Sequence, residues 1–147
     1  MKIAICDDDN SFLQNVKFLI NKIYSNPDKL SIYEYESGEQ FLLQFKPQFF
    51  DVIILDIEMC GITGLEVAEE ISKIGKSVIL AFLTSHQEFA TLGYEVNAFR
   101  YILKNQPEHM FINQLKSIFD EYHQSHITFP VQASNEIVNI LVSDILY

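Results

Sequence analysis

The chain has 147 residues, an apolar content of 48% and a formal net charge of −10, with a pI near 4.7. That length suits one domain with a little chain to spare, and the apolar content is enough to fill a core, which excludes a disordered chain. The acidic surface repels nucleic-acid phosphates, no Lys/Arg cluster offsets it, and no apolar run is long enough to span a membrane.

In chain order, "KIAIC" (Lys2 to Cys6) reads as a short buried strand. Asp9 or Asn10 can cap a helix running to Tyr24, with Phe12, Val16, Leu19, Ile20 and Ile23 on one face. "SNPD" ends it. "LSIYEYES" (Leu30 to Ser37) alternates as a strand should. Ser37 can cap "GEQFLLQF", and Pro47 marks that helix's end. "DVIILD" is a continuously apolar strand ending in Asp56. Thr63 to Lys73 has helical spacing through Leu65, Ala68 and Ile71, and Gly75 stops it. "SVILAFLT" (Ser77 to Thr84) is another apolar strand. "SHQEFATLGY" reads as a short fourth helix, "AFRYILK" (Ala98 to Lys104) as the fifth strand, and the segment from Pro107 to Tyr122 as the fifth helix. The remainder, "HITFPVQASNEIVNILVSDILY", reads as two short strands about an "ASNE" turn. It breaks off within an apolar run, so a continuation is expected.

Alternating strands and helices, with strands apolar on both faces, imply a parallel sheet covered on both sides. The expected fold is α/β: a doubly wound, flavodoxin-like five-stranded sheet of order 2-1-3-4-5, with a short β-type extension. The expected boundaries are residues 1–124 for this domain and 125–147 for the linker and first strands of a second.

Open parallel sheets bind ligands at the carboxyl ends of their strands. Strand one ends in Asp7, Asp8 and Asp9, strand three in Asp56, strand four in Thr84 and Ser85, and strand five in Lys104. An acid after a strand is usually a turn or cap residue when it stands alone. Together, however, these groups converge on one edge. Crowded carboxylates call for a hard cation such as Mg²⁺. A lysine and a hydroxyl beside it suit a phosphoryl group, and a carboxylate can itself be the nucleophile. The four histidines have no metal-ligand spacing, and Ser85 with His86 is too local for a hydrolase dyad. Cys6 and Cys60 form no metal or redox motif, which suits a reduced, cytoplasmic setting.

With "CDDD" after strand one, "LDIEM" around Asp56, "LTS" at Thr84 and "YILK" at Lys104, the chain resembles a CheY-like response-regulator receiver domain over roughly Met1 to Tyr122. The resemblance implies that Asp56 is the phosphoacceptor, served by a sensor histidine kinase. It implies that Asp7, Asp8, Asp56 and the backbone carbonyl of Glu58 hold Mg²⁺. Thr84 and Lys104 would contact the phosphoryl group, and Tyr101 would be the switch aromatic. It implies a signalling domain rather than an enzyme, with phosphoryl chemistry confined to its own aspartate. A homodimer through the fourth helix, fifth strand and fifth helix is also implied. "SHQEFATLGYEVNAFRYILK" is similar to receivers of LytTR-type transcription regulators, and "EIVNILVSDILY" to the first strands of a LytTR DNA-binding domain. DNA binding is therefore expected only through a domain beyond this chain.

Two positions depart from the family pattern. Cys60 stands where receivers commonly have proline, and Asn105 where a proline, usually cis, follows the lysine. At Asn105 either a costly cis bond or a reshaped turn is expected. The nearest rival is a haloacid-dehalogenase-type phosphatase with Asp7 as nucleophile and Asp9 as acid. It lacks a Gly-Thr after Asp9 and leaves Asp56 without a role. A flavin carrier of the flavodoxin type would set phosphate against three acids, and a degenerate receiver would not keep the full acid set.

Overall fold

The computed structural model describes the chain except for residues 75–77, 92–96, 127, 134–135 and 142–147, and leaves the side chains of 90, 91, 128–133 and 136–141 undescribed. Its elements follow the alternation of the sequence. They are β1 (Lys2–Cys6), α1 (Asn10–Ile23), β2 (Ser31–Tyr35), α2 (Gly38–Gln44), β3 (Val52–Asp56), α3 (Gly64–Ser72), β4 (Ile79–Thr84), β5 (Arg100–Leu103) and α4 (Glu108–Ser125). The five strands form one parallel sheet in the order β2-β1-β3-β4-β5. A separate antiparallel pair, β6 (Thr128–Ala133) and β7 (Glu136–Leu141), follows.

β3 shows why its sequence needs no polar alternation: all five of its residues are buried. Val52 and Ile54 pack with Leu13, Val16, Ile20, Leu115 and Ile118 of α1 and α4. Ile53 and Leu55 pack on the opposite face with Phe41, Val67 and Ala68 of α2 and α3. Side chains alternate across a strand, so two helical layers share one sheet.

The helix starts follow local chemistry. Asp9 caps α1, its Oδ1 accepting from the N–H groups of Ser11 (3.0 Å) and Phe12 (3.2 Å). Ser37 caps α2, and Thr63 and Glu66 form a reciprocal capping box on α3. One predicted element differs. The segment expected to be the fourth helix is a 3₁₀ turn at Gln87–Thr91, and Leu92 onward to Val96 lies outside the described residues. The i→i+3 bond from the Phe89 N–H to the His86 carbonyl gives the described part of the segment its tighter turn. Gly75, Ser77, and Ser134 and Asn135 of the expected tail turn also lie outside the described residues.

Truncating the centre of the sheet should be costly. Ile54 is fully buried, and Ile54→Ala should destabilise the fold by about 3 kcal/mol through lost transfer energy and a residual cavity. Urea unfolding followed by circular dichroism measures this.

Candidate functional site

The sheet ladder runs past the strand ends and fixes the residues that follow. The N–H of Asp7 donates to the Tyr35 carbonyl (3.0 Å), that of Ile57 to Leu83 (3.0 Å) and that of Lys104 to Thr84 (2.8 Å). Asp7, Asp56 and Lys104 thus project from backbone already held by neighbouring strands. Gly64 completes the support. Its N–H donates to the Ile57 carbonyl at 3.0 Å, and a Cβ there would collide with the backbone carbonyl of Asp56. Only glycine lets α3 begin so close to the acid.

Carboxylate oxygens of Asp7, Asp8 and Asp56 all lie within 4.8 Å of one another. Asp7 is fully buried and Asp56 is 2% exposed, whereas Asp8 reaches solvent. Lys104 Nζ joins the two buried acids, 2.7 Å from Asp7 Oδ2 and 3.1 Å from Asp56 Oδ2. The ammonium also lies over the Phe12 ring, 4.6 Å from its centroid. Asp7 Oδ1 accepts from the Asp9 N–H at 2.9 Å, and Asp56 Oδ1 from the Glu58 N–H at 3.2 Å.

Burial and the adjacent Asp7 charge raise the Asp56 carboxyl from its ordinary 3.8 to about 6, against the pull of Lys104. Burial opposes the Lys104 charge, but its contacts with Asp7 and Asp56 outweigh that and raise its pKa. Cys6, enclosed beneath the acids, is pushed up to about 12 by burial and then by Asp7, so its thiol stays protonated. It donates to Met59 Sδ at 3.5 Å, as a core residue.

Thr84 is buried at the end of β4, but its hydroxyl serves its own turn, accepting from the His86 N–H at 3.0 Å. Tyr101 packs against Phe82, with centroids 5.2 Å apart, and its buried hydroxyl has no hydrogen-bond partner among the described residues. Every peptide bond among the described residues is trans, so of the two alternatives at Asn105 the reshaped turn is the one adopted, and Lys104 still reaches both acids.

Three features escaped sequence reasoning. His86 Nε2 lies 3.1 Å from Glu58 Oε1, bridging two loops at the site. Glu39 Oε1 accepts from the Ile62 N–H at 2.9 Å, and Asp8 Oδ2 accepts from the Cys60 N–H at 2.8 Å. The only local signal was glycine: Gly61 has φ +83° in the loop those two bonds hold.

The family model for the response regulator receiver domain matches residues 3–116. The chain belongs to the response regulator receiver family. The sensory transduction protein LytR of Staphylococcus epidermidis is 35% identical over 104 residues, covering 71% of this chain and 40% of that protein. LytR of Streptococcus agalactiae is 27% identical across 98% of this chain and 60% of its own length. The chain therefore spans less than two thirds of the length of these curated relatives. Among solved structures, the response regulatory domain of MrkE from Klebsiella pneumoniae is 30% identical with a TM-score of 0.70, covering 84% of this chain and 99% of that one. TrrA from Thermotoga maritima, solved in complex with Mg(2+)-BeF, is 29% identical with a TM-score of 0.66, covering 80% and 97%.

The receiver is a two-component signalling domain with similarity to LytR and LytT regulators. The phosphatase alternative finds no support. Asp9, its required acid, is spent as the helix cap, and Asp7 is tied to Lys104 and the Asp9 N–H. Among the described residues no helix of the receiver is long and apolar enough to cross a membrane.

The raised Asp56 pKa has a stability consequence. The folded state holds its proton more tightly than the unfolded chain does. The resulting stabilisation is full below about pH 4 and is lost as pH rises through about 6. At about pH 7.5 the ionised carboxylate therefore burdens the fold by about 3 kcal/mol. In EDTA, Asp56→Asn should raise the melting temperature by roughly 10 °C at that pH and by almost nothing at about pH 4. Thermal unfolding at both pH values checks the sign.

Proposed function

We propose that Asp56 accepts a phosphoryl group from the phosphohistidine of a sensor kinase and that the receiver thereby switches an attached transcription-regulating domain. The carrying observation is the position of Lys104 Nζ, in contact with both Asp7 and Asp56 inside a cluster of three carboxylates. An Asp56 carboxylate oxygen attacks phosphorus, the phosphorus–nitrogen bond breaks, and the electron pair leaves with the kinase imidazole. Lys104 balances charge on the phosphoryl oxygens. The Thr84 hydroxyl turns its proton from the His86 carbonyl, 3.3 Å away, to a phosphoryl oxygen, and Tyr101, whose hydroxyl has no partner among the described residues, follows.

The donor set fits a hard divalent cation: oxygen ligands only, mutually repulsive, with Asp8 open to solvent. Asp7, Asp8, Asp56 and the Glu58 backbone carbonyl would hold Mg²⁺, which when bound neutralises the carboxylates and the incoming phosphate. TrrA was solved in complex with the same ion. Residues 1–124 form the receiver in this reading. Residues 125–147, including β6 and β7, begin a LytTR-type DNA-binding domain in a cytoplasmic regulator. The similarity to LytR and LytT proteins and the shorter span of this chain support that. Self-association through the fourth-helix segment, β5 and α4 rests on the family resemblance alone.

Incubation with acetyl phosphate and Mg²⁺ should add one phosphoryl mass to the chain, located on Asp56 by peptide mapping. Asp56→Asn should abolish it and Asp8→Ala should slow it by at least tenfold. Undiminished labelling of Asp56→Asn would defeat the assignment. The 147-residue chain itself, at −10, should not retain DNA at physiological salt in a gel-shift assay, phosphorylated or not.

A further inference from the structure

The loop from Ile57 to Thr63 carries Glu58 past the acid pocket and then hands the chain to α3. Two carboxylates from elsewhere hold it. Glu39, in the first turn of α2, accepts from the Ile62 N–H at 2.9 Å. Asp8 Oδ2 accepts from the Cys60 N–H at 2.8 Å. Between them Gly61 takes φ +83°, and a Cβ on it would strike the Glu39 carboxylate. Gly38 is equally confined: a Cβ there would lie 2.7 Å from Cγ1 of Ile62. The loop is thus clamped to α2 at Ile62 by both packing and a hydrogen bond, and the clamp sets where the Cys60 amide points.

That amide exists only because residue 60 is not proline, which has no N–H to donate. We propose that the Cys60 backbone N–H and the Glu39 carboxylate are positioning groups for cation binding: Glu39 fixes the loop, and the loop's amide orients Asp8. The proposal rests on the reading of Asp8 as a cation ligand. A carboxylate with one oxygen held by a fixed donor presents the other in a defined direction. Rigidity that a proline ring would supply by fixing φ comes here from two hydrogen bonds reaching in from β1's end and from α2.

The geometry separates the amide from the thiol, and the hydrogen bond of Glu39 from its charge. Binding of Mn²⁺, an oxygen-seeking probe ion, is measured by the loss of its free-ion electron paramagnetic resonance signal. Cys60→Pro should weaken it by about tenfold, whereas Cys60→Ala, which keeps the N–H, should leave it unchanged. Glu39→Ala should weaken binding several-fold, and Glu39→Gln, whose amide oxygen still accepts, should restore it. Equal or tighter binding by Cys60→Pro overturns the proposal, since the amide is then idle or a competitor. So does a Glu39→Gln variant as weak as Glu39→Ala, which points to bulk charge. A second arm needs no cation. In EDTA, hydrogen exchange of the Cys60 amide should be slowed in the wild type and accelerated in both Asp8→Ala and Glu39→Ala. An unchanged rate in Asp8→Ala removes the bond from solution and the proposal with it. Absence of Mn²⁺ binding by the wild type, with the exchange pattern intact, sinks the cation-site reading instead and with it the positioning role.

Discussion

Two buried carboxylates share one lysine. Asp7 and Asp56 sit at the ends of adjacent strands with almost no access to water, and burying like charges together is unfavourable unless a cation compensates. Lys104 does so from the far side of the sheet: β5 is separated from β3 by β4. The site therefore exists only when the whole β1-β3-β4-β5 order is in place. The compensation is also incomplete, because one ammonium faces two acids and Asp56 remains well above its ordinary pKa. That residual unfavourable charge is what makes the pocket receptive to a further cation.

Much of the rigidity around the pocket comes from backbone, and the loop after Asp56 adds the Glu39 and Asp8 hydrogen bonds. The strand ladders continue through Asp7, Ile57 and Lys104, and α3 begins against the Asp56 carbonyl because Gly64 has no side chain. The surrounding hydrophobic layers fix the plane in which three strand ends and a lysine meet, and Phe12 of one layer lies against the Lys104 ammonium. Two side chains beside the pocket carry fewer hydrogen bonds. Among the described residues the Thr84 hydroxyl bonds only within its own turn and the Tyr101 hydroxyl has no partner, so both can be recruited at small cost. This division suits a switch whose input is a single phosphoryl group.

Membership of the receiver family is compatible with local solutions that differ from the usual pattern. At Asn105 the chain turns without a cis bond and still delivers Lys104. At Cys60 a backbone donor replaces a ring. Both changes replace a stiff residue, and both fall in loops that border the same pocket.

The parallel sheet, its order and the acids at its carboxyl edge were legible in the sequence. Apolar strands such as "VIIL" that must be covered on both faces leave few topologies, and strand ends in such sheets are where polar residues collect. Asp7, Asp8, Asp56 and Lys104 met as expected because their places depend on the ladder alone. What the tertiary structure alone decided lies in the loops. The expected fourth helix begins as a 3₁₀ turn, the Thr84 hydroxyl bonds to its own turn, His86 pairs with Glu58, and Glu39 and Asp8 clamp a loop distant from both in sequence. Periodicity reports which face of an element is buried. It carries no information about which side chain or backbone amide meets which across a loop, because that depends on neighbours brought close only after the sheet has formed.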